Sequence, residues 1–454
     1  MIATVYPSHC SGSVHIPPSK SMAHRAIICA ALADGVSHLT NIDFSDDIRA
    51  TIDGMRQLGA QIDTGADCVS IRGIRGFDQL NSQVIDCQES GSTLRFFIPL
   101  FSLCDQTVRF IGKGRLMQRP QDVYEELFTR QGLQFTHDEQ GIVISGALAP
   151  GRYEVDGSIS SQFITGLLFT LPLLEEDSII QIRPPFESRS YIDLTLEMLK
   201  KFGIRAVYED ALTLRIPGRQ RYVPCDVRVE GDYSQLAFFA VLAAVQGDLA
   251  IHGVSGSSAQ GDRQILSILH DFSASLQPLD DGFLIHRGSL KTAPVDLNDC
   301  PDLGPILFVL AAMAEGTTHI SHAGRLRIKE SDRIAAMEEE LRKFGVRITS
   351  DEDNVWIEGQ NTPYACEETL SGHNDHRVVM ALCVMALCSS SVCRARWRRM
   401  ASCARWPGRR VRRCTPRRRS LRASTPHSTM AAAVRMRPPQ LSTPESSASR
   451  SAVR

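Results

Sequence analysis

The sequence predicts an α/β fold of two lobes, each built from repeated βαβαββ-type units. Three observations predict it: the length of 454 residues, a recurring helix-glycine-hairpin pattern, and a recurring apolar helix in phase with that pattern. A chain of this length exceeds one ordinary domain and is long enough for two with sizeable cores. We therefore expect a functional site in a cleft between the lobes.

The first repeated pattern is a helix-like stretch, then a Gly, then a short hairpin of alternating residues. It occurs five times, and its pivot residues are separated by 73, 71, 70 and 72 residues. These pivots are Gly59, Gly132, Gly203, Ser273 and Gly345. Glycine suits this position because a helix C-cap often needs a positive φ before the chain turns into a strand.

The second pattern is a polar cluster followed at once by a helix that is apolar nearly all round and therefore predicted to be buried. The six copies begin near Ser19, Glu89, Ser160, Gly231, Pro301 and Asn374. Six buried helices with only five hairpin units imply that one unit is missing. By the spacing, the sixth unit belongs near residue 416, and we expect it to be lost.

Residues 390–454 differ in composition from the rest of the chain. They hold 17 arginines, no lysine and a single acid, Glu445. Their net charge is therefore about +16, whereas the net charge of the whole chain is −1. They also have little apolar material for a core. One hypothesis is that these residues are translated in a shifted frame of GC-rich DNA; the alternative is a disordered basic extension that binds nucleic acid non-specifically.

Several classes of protein are excluded by composition. The longest apolar runs fall short of the roughly 18 residues needed to span a bilayer, and the N-terminus lacks the features of a secretory signal. We therefore expect a cytoplasmic protein with no membrane segment. The thirteen cysteines form no C-x-x-C pair, so neither a disulfide framework nor a zinc site is indicated.

Chemistry is predicted where polar clusters begin the buried helices, because a helix N-terminus favours anions. Four such clusters are Pro17 to Arg25, Ser90 to Arg95, Ser160 to Gln162, and Asn374 to Arg377. A fifth charged cluster, Arg327 to Arg333, precedes an amphipathic helix and holds three cations and two carboxylates. Each has an ordinary alternative interpretation. Serines and Asp302 can be simple N-caps, and the Arg327 to Arg333 stretch can be a solvated first turn.

Taken in order, the motifs P-S-K-S-x-x-x-R, G-x-x-x-R, an R-P loop, S-S-Q, P-D, K-E-S-D-R and N-D-H-R resemble the 5-enolpyruvylshikimate-3-phosphate synthase family. The resemblance spans residues 1 to about 389. It implies a two-lobed inside-out α/β barrel with three units in each lobe. One lobe would comprise residues 1–14 plus 230–389 and would be incomplete. The other lobe would comprise residues 15–229. Residues 390–454 would form an Arg-rich tail.

The resemblance implies transfer of the enolpyruvyl group from phosphoenolpyruvate to the 5-hydroxyl of shikimate 3-phosphate, a step of aromatic amino acid biosynthesis, by a monomer without metal, cofactor or specific nucleic acid. It assigns shikimate 3-phosphate to Lys20, Ser21, Arg25, Ser160, Ser161, Gln162, Ser188, Asp302 and Lys329. It assigns phosphoenolpyruvate to Lys20, Gly91, Arg119, Gln162, Arg333 and Arg377. Its catalytic residues would be Asp302, Glu330 and Lys20, with Asp302 accepting the hydroxyl proton and Glu330 serving the vinyl methylene.

The sequence departs from the family pattern in two places. Glu89-Ser90-Gly91-Ser92 stands where Asn-Ala-Gly-Thr is common, and no lysine follows Lys343 although the family carries one in its C-terminal loop. An inactive homologue is therefore one alternative. Another is the related transferase acting on UDP-N-acetylglucosamine, which has a reactive cysteine in the loop matching residues 112–120; this loop has none.

Overall fold

The structure is a computed structural model, and it describes residues 2–78, 80–396 and the backbone of 434–437. Six sheets of four strands share one topology, in which two parallel strands are followed by an antiparallel pair. Within the described residues, no helix is long and apolar enough to cross a membrane.

Three sheets belong to the middle of the chain. The first orders β14 (Val227–Arg228), β3 (Val36–Thr40), β5 (Cys68–Arg72) and β4 (Gln61–Thr64). The second orders β6 (Val84–Asp86), β7 (Val108–Ile111), β9 (Gly141–Ser145) and β8 (Gln134–Asp138). The third orders β10 (Arg152–Asp156), β11 (Ser178–Arg183), β13 (Thr213–Ile216) and β12 (Val207–Tyr208).

The other three sheets are built from later strands, and two of them also include an N-terminal strand. One orders β2 (Gly12–His15), β15 (Leu249–His252), β17 (Gly282–His286) and β16 (Ser275–Leu279). The next orders β18 (Val295–Asp296), β19 (Gly316–Ser321), β21 (Val355–Gly359) and β20 (Arg347–Ser350). The last orders β22 (Thr369–Ser371), β23 (Cys393–Arg396), β1 (Ile2–Val5) and β24 (Val434–Arg437).

Helices alternate between two kinds along the chain. The buried ones are α1 (Lys20–Leu32), α3 (Gly91–Ser102), α5 (Ser161–Thr170), α7 (Tyr233–Gln246), α9 (Gly304–Ala312) and α11 (His376–Leu387). The amphipathic ones are α2 (Asp46–Gln57), α4 (Asp122–Arg130), α6 (Arg189–Lys201), α8 (Ile265–Asp271) and α10 (Arg333–Arg342). The six predicted buried helices are thus confirmed, each starting within three residues of its predicted polar cluster.

The pivot prediction is also confirmed at every copy. The φ angles are 106° at Gly59, 71° at Gly132, 77° at Gly203 and 83° at Gly345. Ser273 adopts 66° although it carries a Cβ. The repeated geometry therefore imposes the left-handed conformation at this position even where glycine is replaced.

Two separate hydrophobic cores divide the described part of the chain. One is built from buried residues between positions 22 and 229, the other from residues 3–16 together with 233–395. The lobe boundaries near residues 15 and 230 stay a proposal, which these two cores support. The lobe around the core of residues 22–229 is called lobe II, and the lobe around the other core is called lobe I.

The prediction that the sixth unit is lost is wrong for its sheet, which is present in the structure. Four strands are present because the N-terminal strand β1 supplies one, and β23 and β24, both beyond residue 389, supply two more. In the other units a surface helix lies between the strands that correspond to β23 and β24. In the sixth unit that position falls in residues 397–433, outside the described residues.

Candidate active site

A cleft between the lobes collects the N-terminal ends of the buried helices. Lobe II contributes the starts of α1, α3 and α5, and lobe I contributes the segment around residues 301–302, residues 325–333 and the start of α11. Every site residue predicted from the sequence lines this one cleft: Lys20, Ser21, Arg25, Gly91, Arg119, Ser160, Ser161, Gln162, Ser188, Asp302, Lys329, Glu330, Arg333 and Arg377.

The cleft is cationic. Among the residues that the structure describes, eight arginine and lysine side chains line it, against five carboxylates. Such an excess in a walled cleft raises the local concentration of anions. The site is therefore suited to ligands that carry several negative charges.

Lys20 begins α1 and points at a carboxylate of the next helix. Ser19 caps α1 by accepting a hydrogen bond from the Met22 amide, and the Lys20 Nζ lies 2.6 Å from an Asp47 oxygen. Burial alone would lower the pKa of Lys20, but the charge of Asp47, its hydrogen bond to Lys20 and the charge of Glu330 together outweigh burial and raise that pKa. Lys20 is thus held as a cation at the helix N-terminus.

The lobe II wall is ordered by hydrogen bonds around Gln162. Arg95 donates to Gln162 Oε1 at 3.1 Å, and Gln162 Nε2 donates to Ser92 Oγ at 3.0 Å. The Arg95 guanidinium also stacks over the Phe163 ring, 4.6 Å from its centre. These contacts fix the start of α5 against the start of α3, so the Gln162 amide has one orientation in the cleft.

Glycine at position 91 leaves room for the close approach of the Arg119 guanidinium. A Cβ at position 91 would lie 2.6 Å from the Arg119 Nη1 atom. Arg119 also reaches across to lobe I, with its Nη2 atom 3.8 Å from a Glu330 oxygen. Both Arg119 Nε and Arg377 Nη1 are buried and lack a hydrogen-bond partner among the described residues. Such unpaired donors are available to an anionic ligand.

Asp302 lies among three cations of lobe I. Its carboxylate is 2.8 Å from Arg377 Nη2, 3.3 Å from Arg333 Nη1 and 3.7 Å from Lys329 Nζ. Burial would raise the pKa of Asp302, but these cations outweigh burial and hold it well below its usual range. The short helix at Pro301–Leu303 and the helix α9 that follows show no side-chain capping bond, so the N-cap interpretation of Asp302 is wrong.

Arg333 joins the two carboxylates that the sequence proposed for proton transfer. It is 1% exposed; its Nη2 atom lies 2.7 Å from Glu330 and its Nη1 atom 3.3 Å from Asp302. Its Nε donates to Asp375 at 2.8 Å, and Asp375 is fully buried. The interpretation of this motif as a solvated first turn is therefore wrong for Arg333.

Sequence reasoning missed several residues of the cleft. Asp47 lies in the first turn of the amphipathic helix α2, where an acid is ordinary, yet it pairs with Lys20. Arg325, Tyr191 and His376 also line the cleft. Burial lowers the pKa of His376 to about 4, so its imidazole is neutral at physiological pH. Of these residues, only His376 could have been identified from the sequence, because it lies inside the N-D-H-R motif.

An inter-lobe cleft with excess cations, and with carboxylates held between them, is the site of an enzyme that acts on anionic substrates. Residues 5–400 match the family model described as EPSP synthase (3-phosphoshikimate 1-carboxyvinyltransferase). The chain therefore belongs to the EPSP synthase family, and its activity is enolpyruvyl transfer in the shikimate pathway.

Relatives and solved structures agree with that assignment. A 3-phosphoshikimate 1-carboxyvinyltransferase of Clostridium beijerinckii is 45% identical over 403 residues, covering 86% of this chain and 91% of that protein. One of Clostridioides difficile is 45% identical over 393 residues, covering 84% and 89%. The solved EPSP synthase of Acinetobacter baumannii superposes with a TM-score of 0.73 at 26% identity, covering 87% of this chain and 93% of that one.

Proposed function

We propose that the cleft binds shikimate 3-phosphate and phosphoenolpyruvate together and joins them through the acceptor's 5-hydroxyl. The observation that carries this proposal is the position of Arg333, which contacts both Asp302 and Glu330 from a fully buried site. Two carboxylates held by one fixed cation can serve two different proton transfers while the surrounding cations offset the charge of two anions.

The acceptor half of the proposed site is formed mainly by lobe II. Arg25, Ser160, Ser161, Gln162 and Ser188 line that side, while Lys20 lies at the start of α1. Asp302 and Lys329 face them from lobe I. Hydroxyl and amide donors suit phosphate and hydroxyl groups, and the planar guanidinium of arginine suits a carboxylate.

The phosphoenolpyruvate half is formed by Gly91, Arg119, Gln162, Arg333 and Arg377, with Lys20 between the halves. The unpaired Arg119 Nε and Arg377 Nη1 atoms supply donors for its phosphate and carboxylate. Because these arginines come from different lobes, the second anion draws on both walls of the cleft.

The chemistry follows from the two carboxylates. Ionised Asp302 accepts the proton of the acceptor's 5-hydroxyl while the hydroxyl oxygen bonds to the phosphate-bearing vinyl carbon of phosphoenolpyruvate. Glu330 donates a proton to the methylene carbon of phosphoenolpyruvate, and a tetrahedral intermediate forms. In the second step the carbon–oxygen bond to the phosphate breaks, the departing phosphate takes the proton held by Asp302, and one proton of the new methyl group returns to Glu330, which restores the double bond.

Without substrate, Arg333 and Arg119 lower the pKa of Glu330 despite its burial. A bound anionic substrate competes for these two arginines and raises the pKa of Glu330. Substrate binding therefore helps Glu330 to carry a proton.

Phosphate release by the purified full chain tests the proposal. Release is expected only when both substrates are present. If the chain binds shikimate 3-phosphate but releases no phosphate, the inactive-homologue alternative holds instead. The alternative acting on UDP-N-acetylglucosamine is disfavoured, because residues 112–120 lack cysteine and the relatives are named for 3-phosphoshikimate.

The frameshift hypothesis for residues after about 389 stays part of the proposal. The family match stops at residue 400 of 454, and the arginine excess lies in the same region. Reading the other frames of the DNA after codon 389 is expected to yield a lysine, an aromatic-proline pair and a helix-glycine-hairpin. If no frame does so, a genuine basic extension is the better explanation. The cytoplasmic location and the monomeric state also remain predictions.

Lys329 makes acceptor binding depend on pH. Burial and neighbouring cations lower its pKa to about 8, although Asp302 opposes the shift. Lys329 therefore loses its charge as the pH rises through about 8, and the affinity for shikimate 3-phosphate is expected to fall by up to about tenfold per pH unit above that value. The ligand phosphate, with a second pKa of about 6, keeps its charge there.

Calorimetric titration between pH 7.5 and 9 measures this dependence. Lys329→Arg is the matched control, since arginine stays protonated over that range and its affinity profile is expected to be flat. A wild-type profile as flat as that of the control would show that Lys329 does not titrate in contact with the acceptor.

Gly91→Ala tests the close approach of Arg119. The added Cβ would lie 2.6 Å from Arg119 Nη1, so the guanidinium has to move. We expect KM for phosphoenolpyruvate to rise about tenfold, equivalent to about 1.4 kcal/mol, with an unchanged Tm. Steady-state kinetics against each substrate provides the measurement. An equal rise in KM for shikimate 3-phosphate would contradict the assignment of Arg119 to the second substrate.

A further inference from the structure

Asp262 is a buried acid that none of the proposed proton transfers uses. It lies in the short helix Gly261–Gln264 of lobe I, is 5% exposed and is not among the residues that line the cleft. Its Oδ2 atom accepts a hydrogen bond of 3.2 Å from the Tyr191 hydroxyl of lobe II. Its Oδ1 atom is buried and has no hydrogen-bond partner among the described residues. Ionisation of Asp262 is therefore costly, because one carboxylate oxygen has no donor that replaces water.

The short helix of Asp262 packs directly against the segment that leads into Asp302. A Cβ at Gly261 would lie 2.5 Å from the carbonyl oxygen of Asp299, so glycine leaves room for this approach. The Cys300 thiol donates a hydrogen bond of 3.2 Å to a glutamine side chain of the same short helix. These contacts, on both sides of Asp262, fix the two aspartates on segments that touch each other.

Asp262 and Asp302 repel each other when both are ionised. Burial and the charge of Asp302 raise the pKa of Asp262 to about 7, although Arg377 opposes the shift. Arg377 is the ion-pair partner of Asp302, with its Nη2 atom 2.8 Å from that carboxylate. The titratable and charged groups that face Asp262 are Tyr191, Asp232, Cys300, Asp302 and Arg377. Burial raises the pKa of Tyr191 and of Cys300 well above the usual values, so neither is charged at neutral pH.

We propose that Asp262 is a positioning residue for the proton transfer to Asp302: its ionised form makes Asp302 a stronger base. The inference rests on the proposed function and deepens it. The cations around Asp302 hold its pKa well below the usual range, which weakens it as a proton acceptor. A second carboxylate nearby opposes those cations, because a like charge favours protonation of its neighbour. The coupling is reciprocal, so Asp262 ionises more readily once Asp302 holds the hydroxyl proton.

This role makes the chemical step depend on pH. Below about pH 7 Asp262 is protonated and exerts no charge on Asp302; above that pH it is ionised. The step in which Asp302 takes up the hydroxyl proton is therefore expected to accelerate as the pH rises through about 7. A base strengthened by one pKa unit gains at most about tenfold in rate, so we expect a gain of about three- to tenfold.

Single-turnover phosphate release by the full chain tests the proposal, with both substrates saturating and the pH varied from 6 to 8. Asp262→Asn keeps the shape of the protonated acid and cannot ionise. The ratio of the wild-type rate to the variant rate cancels the titrations that both proteins share. We expect this ratio to be close to one at pH 6 and to reach about 3–10 at pH 8. A ratio that stays constant with pH, as a merely structural role of Asp262 predicts, would overturn the proposal.

The matched control is Asp271→Asn, which removes an exposed carboxylate of the same lobe. Its ratio is expected to stay near one at every pH. Asp262→Ser, which cannot ionise either, replaces Asp262→Asn if that variant folds poorly, as judged by its Tm.

Urea unfolding checks the ionisation of Asp262 without any substrate. The folded pKa of about 7 lies above the unfolded value of about 3.9, so wild-type stability falls as the pH rises between them. The urea midpoint of Asp262→Asn is therefore expected to rise relative to that of the wild type from pH 5 to pH 7. A difference in midpoint that does not change with pH would overturn the inference alone. A wild-type chain that shows this change but releases no phosphate at any pH would contradict the proposed function, and this inference with it.

Discussion

Asp302→Asn is expected to lower kcat by about 100- to 10,000-fold, the range typical of a lost general base. Asparagine keeps the shape and the acceptor oxygen of the side chain but cannot take a proton. It also removes one negative charge from a site with Arg377, Arg333 and Lys329 within 3.7 Å. The affinity for anionic substrates is therefore expected to hold or to increase while turnover falls.

Single-turnover phosphate release separates the two effects, because it measures the chemical step apart from binding. Glu89→Gln is the matched control: Glu89 is another carboxylate lining the cleft, and none of the proposed proton transfers uses it. The control is expected to keep kcat within about twofold, as for a substitution away from the chemistry. An Asp302→Asn enzyme that retains a tenth or more of kcat would rule out Asp302 as the base.

Much of the fold could be predicted because each structural unit repeats. The pivot at Ser273 was assigned from spacing although serine gives no local signal, and its φ of 66° confirms it. The buried helices were equally clear, since all-round apolar character has one physical meaning in a chain without membrane spans. The strand β1 was harder, because its partners β23 and β24 lie hundreds of residues away and local patterning contains no information on such pairing.

The membership of the site could be predicted from the polar clusters, but its ion pairs could not. Helix starts identify Lys20 and Arg377 as cleft cations, since the N-terminal end of a buried helix is where anions bind. The Lys20–Asp47 pair and the Arg325 contact with Ser188 depend on packing between elements 27 and 137 residues apart. Spacing along one helix says nothing about such distances.

Arg333→Met is expected to destabilise the protein by about 3–5 kcal/mol at pH 7, because it leaves a buried carboxylate without its cation. Asp375 is fully buried, and Arg333 Nε donates to it at 2.8 Å. Burial would raise the pKa of Asp375, but Arg333 outweighs burial and holds that pKa below its usual value. Arg327→Met is the control, since the Arg327 pair with Asp332 is 3.5 Å long and partly exposed; a loss below about 1 kcal/mol is expected there.

The pH dependence identifies the cause of that loss. In the wild type, the depressed pKa of Asp375 contributes stability above the unfolded pKa of about 3.9, and this contribution is lost as the pH falls through the folded pKa. Without Arg333, burial dominates and the folded pKa rises above the unfolded one, so ionised Asp375 opposes folding at neutral pH. The difference in unfolding free energy between wild type and Arg333→Met is therefore expected to shrink from pH 7 to pH 5. Urea unfolding at both pH values measures it, and a difference that stays constant would mean that lost packing, not the unpaired Asp375, causes the destabilisation.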